Sequence, residues 1–463
     1  MPFPVFGPPT RAGRPDRAVR RLERTLLCYT GFEDFVLLYP VYALLFADHG
    51  LGTGEISVLF AVWSLTGVLL EVPSGVWADL VSRRLLLVLG PLLSAAGFGL
   101  WVALPTFPAF AAGFVLWGAG GALRSGALEA LVYEGLDRHG ATARYPRLMG
   151  RASAVGTAAT VAATALATPV FALAGYPGLG VASVAACLLC AATATRLPEH
   201  RPAPAKGTTV GTKDGPADGA TDGGATDGGS AGAAGPARPA GGYLHTLREG
   251  LSEVRGHPRV RNALVLAVAV TTVWGALDEY VPLLAAEAGA GTAEVPPLSL
   301  LVWTGVTAGG LLAGRAELLS GRALGAALAL AAGALAVGAR WGIPGGFVLL
   351  ALAFAVFQAT DVVTDARLQE AVTGRSRATV TSLGGLGTGL TTLLAYAVYG
   401  AASGHASHAA LFALSALPYL VIAAVLARRS GPAGRTGDPE HGDPEHGRPG
   451  TGHPRHGRPE HAG

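Results

Sequence analysis

Two pairs of adjacent acids interrupt strongly apolar stretches of this chain, Glu33-Asp34 near its start and Asp278-Glu279 beyond its middle. An acid at the centre of a membrane costs about 3 kcal/mol even on the lenient insertion scales, so each needs a reason to be there. Burial disfavours the charged form of a carboxyl group, and acids so placed can exchange protons near neutral pH. That is the chemistry of proton coupling. The structural alternatives are a polar tie between helices or a site near the outer surface. Neighbours on a helix point about 100° apart. At most one acid of each pair is therefore expected to face a cavity squarely, with the other turned to a neighbouring helix.

The two pairs sit in similar surroundings. Gly31-Phe-Glu-Asp-Phe compares with Gly275-Ala-Leu-Asp-Glu-Tyr, and a proline follows each, Pro40 and Pro282. This weak repeat predicts two related halves with acids facing a shared cavity. A second correspondence sets Glu129 against Asp365. Gln358, Asp361, Asp365 and Gln369 follow helical spacing and make one polar face. Arg124 is the single basic residue well inside an apolar run, and Glu129 and Asp361 are its candidate partners. These residues serve either substrate contact or a salt-bridge network holding the halves together. Trp63, Trp117 and Trp274 are candidate cavity walls or packing residues.

The elements that must position these groups are long apolar helices. Hydrophobic residues make up 50% of the 463 and charged residues 14%, too few charges for the surface of a soluble protein. The mean hydropathy is +0.42. A spanning helix needs about 20 apolar residues. Twelve runs qualify or nearly do: 26–46, 56–77, 85–104, 109–132, 152–175, 179–194, 263–286, 298–314, 323–339, 345–363, 378–399 and 409–427. They are too long for barrel strands and do not alternate. Their many Gly and Ala residues favour close helix packing in lipid.

The basic residues test this layout. With both termini cytoplasmic, every Lys and Arg but Arg124 and Arg340 falls on the inner side, 32 of the 34. That is the positive-inside bias. The expected fold is an all-α integral membrane protein, twelve transmembrane helices in two pseudo-symmetric six-helix bundles. The expected divisions are a cytoplasmic arm (1–25), an N-terminal bundle (26–195), a partly disordered cytoplasmic linker (196–258), a C-terminal bundle (259–428) and a disordered tail (429–463). The linker repeats Ala-Thr-Asp-Gly-Gly, and Tyr243–Val254 reads as a short amphipathic helix. The tail carries Asp-Pro-Glu-His-Gly twice and reads as low-complexity chain with no metal site. Cys28, Cys187 and Cys190 lie in apolar runs and read as inert small hydrophobes. The N-terminal apolar run has no cleavage site after it and reads as a retained first helix.

The second helix ends Glu71-Val-Pro-Ser-Gly75-Val-Trp-Ala-Asp79-Leu-Val-Ser-Arg83-Arg84. Glu71, Gly75 and Asp79 share a face, and Gly75 permits close approach of another helix. Such a cluster can latch one conformation. The stretch resembles the loop motif of the major facilitator superfamily, Gly-x-x-x-Asp-x-x-Gly-Arg-Arg. Gly75, Asp79, Arg83 and Arg84 match, and Ser82 replaces a glycine. With the six-plus-six layout, the resemblance covers roughly Arg24 to Arg429. It implies alternating access, with this motif stabilising the outward-facing state and governing the switch. Glu129 and Asp365 join the latch residues. The equivalent loop of the second half, at Gly310–Glu317, is degenerate. The fifth helix lacks the Gly-Pro-x-x-Gly-Gly run frequent in drug/proton antiporters of that superfamily.

No Gly-x-x-x-x-Gly-Lys-Ser/Thr run is present, so the expected energy source is an ion gradient, most simply protons, and no cofactor or enzymatic activity is expected. The reading is proton-coupled export of a small amphipathic or hydrophobic molecule by a monomer in the cell membrane, without nucleic-acid partners. The alternatives are proton-coupled uptake and a non-transporting receptor on the same scaffold. Glu33, Asp34, Asp278, Glu279, Arg124 and Asp361 are the expected proton or substrate residues.

Overall fold

A computed structural model of the protein describes residues 17–199, 252, 254–372 and 377–429, without the side chains at 71, 72, 74–76, 78–80, 377–379 and 429. The tail, the Ala-Thr-Asp-Gly-Gly repeats and most of the expected amphipathic helix lie outside the described residues. Among the described residues every regular element is helical. Eight helices are long and apolar enough to cross a membrane. One of the eight runs over 53 residues and contains a non-helical Gly175, where two spans meet.

The first half contains α1 (Arg17–Glu33), α2 (Tyr42–Asp48), α3 (Thr53–Leu80), α4 (Arg83–Ala103), α5 (Phe107–Arg124), α6 (Ala127–Asp137) and α7 (Tyr145–Ala194). The second contains α8 (Pro258–Asp278), α9 (Val281–Glu287), α10 (Val295–Ala316), α11 (Gly321–Trp341), α12 (Gly345–Ala371), α13 (Arg377–Ser403), α14 (His408–Leu414) and α15 (Ala416–Arg429). The count of twelve spans follows when α1/α2, α5/α6, α8/α9 and α14/α15 are each taken as one broken rod and α7 as two rods.

The breaks correct the expectation of continuous helices at 26–46, 109–132, 263–286 and 409–427, and a proline or glycine marks each of the first three. Pro40 has no N–H to donate and limits the backbone before it, and residues 34–41 leave the helix. The freed backbone groups are taken up by side chains of α7. Ser183 Oγ accepts from the Leu38 N–H at 3.2 Å, and Thr160 Oγ1 donates to the Asp34 carbonyl at 3.4 Å. Such rescue is what tolerates broken helices at membrane depth. Gly126, at φ 74°, separates α5 from α6, a conformation that suits glycine. Pro282 sits at the start of α9, just beyond the break at Glu279-Tyr280.

Contacts within each half are extensive. In the first, α4 packs on α5 and α7, and α1 on α7; in the second, α12 packs on α10 and α11, and α11 on α15. The approach of α10 to α12 is very close: a Cβ at Gly305 or Gly309 would collide with the carbonyls of Ala351 or Ala355. Small residues at such crossings allow dense packing in lipid. Leu173, Leu311 and Leu330 point outward and are exposed, as a lipid solvent requires.

The halves meet through α3 with α13, α7 with α10, and α2 with α9. Hydrogen bonds between the halves cluster toward one end. Tyr280 donates to Ser57 Oγ at 2.8 Å, Thr168 donates to the Ala293 carbonyl at 3.0 Å, and Thr53 lies 3.3 Å from His408 Nε2. An aromatic plug fills the space beside them. Phe60 lies edge-on to both Tyr42 and Tyr280, and Tyr280 stacks on Tyr399 with ring centroids 3.7 Å apart. This sealed end carries the loops at 49–52 and 288–294. Arg17, Arg83, Arg138 and Arg196 lie at the opposite end.

Candidate functional site

The break in the first rod and the break in the seventh meet at a cavity of about 270 Å³. Tyr39, Pro40 and Tyr42 come from one break, and Asp278, Glu279 and Pro282 from the other. Trp63 on α3, Trp117 on α5, Thr160 and Thr164 on α7, and Ser299 and Trp303 on α10 complete most of the wall. Discontinuous helices at a repeat interface are where transporter sites are commonly built.

The wall is aromatic and acidic. Tyr39 stacks on Trp117 at 5.5 Å and Trp117 on Trp63 at 4.9 Å, giving a three-ring face. Both acids of the second pair line the cavity, and no Lys, Arg or His is among its lining residues. The expectation that only one acid of a pair faces a cavity is therefore not met here. The helix ends at Asp278, and the cavity wraps around that end rather than along one face. Glu279 accepts a hydrogen bond from the Tyr42 hydroxyl of the opposite half. Asp278 Oδ1 and Ser299 Oγ are buried without a hydrogen-bond partner. Unsatisfied buried polar atoms of this kind call for a ligand or water.

Glu33 and Asp34 do not reach this cavity. They line a separate space of about 80 Å³ inside the first half, with Arg124, Cys187 and Cys190. Tyr39 and Trp117 line both spaces, so the ring stack stands between the two acid pairs. The expected single shared cavity is instead two adjoining ones. Glu33 forms an ion pair with Arg124. That corrects the expected partners of Arg124. The break after Arg124 ends α5 there, and Glu129, exposed on α6, lies beyond the turn. Asp34 packs against α7, where its carboxyl group occupies the space a Cβ at Gly156 would need.

Asp361 lines a third space, of about 410 Å³, together with Asp365, Gln369 and Thr381, in the second half. Thr271 donates a hydrogen bond to Asp361. Gln358 is not among its lining residues, so the predicted polar face is split. Trp274 is not among the lining residues of the central cavity; its ring lies edge-on to Phe354. Trp303, which sequence reasoning missed, lines the central cavity instead. The only available signal was its place one turn beyond Ser299 on a helix facing the other half.

Of the latch residues, the backbone at Glu71, Gly75 and Asp79 is helical, and their side chains lie outside the described residues. Arg83 forms an ion pair with Glu134 of α6. Ser82 caps α4 by accepting from the Leu85 N–H at 3.1 Å, and its hydroxyl donates to Glu199 at 2.5 Å. The motif region is thus tied to α6 and to the chain after α7, within its own half. Arg84 faces a separate arginine-lined space.

Residues 27–360 match the Major Facilitator Superfamily profile. The chain belongs to the major facilitator superfamily. No curated protein matches the sequence. Solved structures share the fold at low identity. The nucleoside transporter NupG aligns at 12% identity with a TM-score of 0.64, covering 89% of this chain and 99% of that one. A bacterial homolog to the human lysosomal transporter Spinster, inward-facing and unoccupied, aligns at 14% identity with a TM-score of 0.61, covering 90% and 96%. A D-xylose-proton symporter aligns at 12% identity with a TM-score of 0.61, covering 88% and 96%. Membership makes this chain a secondary transporter, and the central cavity between the halves of this major facilitator protein is its candidate substrate site.

Proposed function

We propose that this transporter exports a small amphipathic or hydrophobic molecule in exchange for protons. The observation that carries the reading is the central cavity itself: a three-ring aromatic face beside two carboxyl groups, with no basic residue in its lining. The apolar body of a substrate would lie on Trp63 and Trp117, and its polar group would satisfy Asp278 Oδ1 and Ser299 Oγ. Two buried carboxylates without a counter-charge are costly. A proton removes that cost, and a substrate that displaces the proton couples the two fluxes.

Alternating access follows from rocking of the bundles at 26–195 and 259–428 about the cavity. The basic residues concentrated at the end opposite the sealed one support a cell-membrane orientation with both termini cytoplasmic. In that orientation the sealed end faces outward, which leaves the cytoplasmic side for an exporter to load its cargo. The large contacts within each half and the lipid-facing leucines support a monomer as the working unit.

The test is flux in proteoliposomes under an imposed pH gradient, screening amphipathic compounds of both charge signs. Substrate-driven proton movement that is lost in Asp278→Asn supports exchange. Substrate and protons moving in the same direction would replace export with uptake, as in the similar D-xylose-proton symporter. Binding without flux for every compound that binds would replace transport with a receptor role.

A further inference from the structure

The unsatisfied polar atoms of the central cavity both come from the second half. Asp278 ends α8 and Ser299 lies on α10. Ser299 is 6% exposed, and neither its hydroxyl nor Asp278 Oδ1 has a hydrogen-bond partner. Glu279 differs, because it already accepts from Tyr42. Among the described residues, no Lys, Arg or His lines this cavity or acts through its charge on either acid. The first half supplies the aromatic face. Trp117 is stacked by both Tyr39 and Trp63, so its own face is taken and is closed to a cation. The stack is a wall for an apolar body, and the charge of a ligand has to be met by the acids.

Resting on the reading of this cavity as the substrate site, we propose that the substrate is a protonated primary or secondary amine on a compact apolar body. An anion would meet two acids and no cation. A neutral molecule would leave the charge of Asp278 unmatched. The donors decide the kind of cation. A carboxylate oxygen only accepts, and a serine hydroxyl accepts as well as donates. Asp278 Oδ1 and Ser299 Oγ do not bond each other, so a group that reaches both has to bring more than one N–H. Primary and secondary ammonium groups carry three and two. A quaternary ammonium carries the charge and no donor, and would leave both atoms buried and unpaired, which is what a polar site rejects most strongly. The exchange also keeps the charge of the site constant. Asp278 is met by a proton in one phase of the cycle and by the ammonium in the other.

The test titrates the purified full chain in lipid nanodiscs, near neutral pH, with 2-phenylethylamine, its N,N,N-trimethyl derivative, 2-phenylethanol and 3-phenylpropionate, read by calorimetry. Naphthyl and hexyl counterparts vary the apolar body. The primary amine should bind about tenfold tighter than the trimethyl form and about a hundredfold tighter than the alcohol. Ser299→Ala should weaken the primary amine about tenfold and leave the trimethyl form unchanged, a pattern that damage to packing would not give. Equal binding of the alcohol, a preference for the trimethyl form or the acid, or an equal loss for both cations in Ser299→Ala overturns the proposal. So does the absence of binding by the amines of all three bodies. Flux separates this outcome from that of the export reading. Proton-coupled export of a neutral or acidic compound alone leaves export standing and removes the amine. Amines that bind without moving protons leave the amine site standing and remove export.

Discussion

The two acid pairs occupy matching places in the two halves and end in opposite electrostatic states. Glu33 is neutralised by Arg124, and Asp34 is pressed against α7. Glu279 accepts a hydrogen bond from Tyr42, and Asp278 and Glu279 line a cavity with no base among its lining residues. One copy forms an ion pair inside its own bundle. The other has no basic residue in its cavity lining, and in the proposed function its charge is met by something that comes and goes. Internal symmetry in a transporter shows where acids sit, and the placement of a single arginine determines which of them remain available.

The comparison breaks first if the second pair proves dispensable. Asp278→Asn and Glu279→Gln are each expected to abolish proton-coupled flux in proteoliposomes, while Glu33→Gln retains a measurable part of it. Equal loss in all three would erase the difference between the pairs. The ring stack between the pairs is the next point of attack. Trp117→Ala opens a hole shared by both cavities and should cost about 3 kcal/mol of stability, together with weakened substrate binding, read by thermal unfolding and by tryptophan quenching. Arg124→Gln strands Glu33 without its partner. It should cost about 2 kcal/mol, less than a fully buried pair would because Arg124 is 43% exposed. Adding Glu33→Gln should restore most of that loss, and failure to do so would mean that the arginine acts elsewhere. The smallest effect belongs to Tyr42→Phe. It removes one cross-half hydrogen bond to Glu279, worth about 1 kcal/mol, and should shift cysteine labelling toward opening of the sealed end.

Much of this architecture was legible in the sequence because lipid imposes simple rules. Apolar length and the side on which arginines fall suffice to place the rods. The acids were visible because they are expensive where they are. The breaks were less legible. Pro40 and Pro282 marked two of them, but a proline inside a run does not reveal how much backbone will leave the helix. Residues 34–41 leave it because Ser183 and Thr160, more than a hundred residues away, supply partners. The partner of Arg124 was misjudged for a related reason. Glu129 and Asp361 were the candidates, whereas the turn at Gly126 carries Glu129 away and the ion pair forms with Glu33. Trp303 was hidden because nothing in an apolar helix distinguishes a ring facing the cavity from one facing lipid.

Gly175 deserves a mechanical reading. It is the single non-helical residue within the 50 residues of α7, at φ 57° and ψ −155°, a backbone state open essentially to glycine. Most neighbouring spans are joined by several residues of loop, which act as slack rope. Here two rods share one pin. A push on the arginine-rich end of the first rod, at Arg147 or Arg151, has no slack in which to dissipate before it reaches the second. The pair behaves as a folded ruler whose joint is fixed at the sealed end, so that a shift at one open tip must appear at the other. Lengthening that joint by a few residues would leave both rods intact and uncouple their tips.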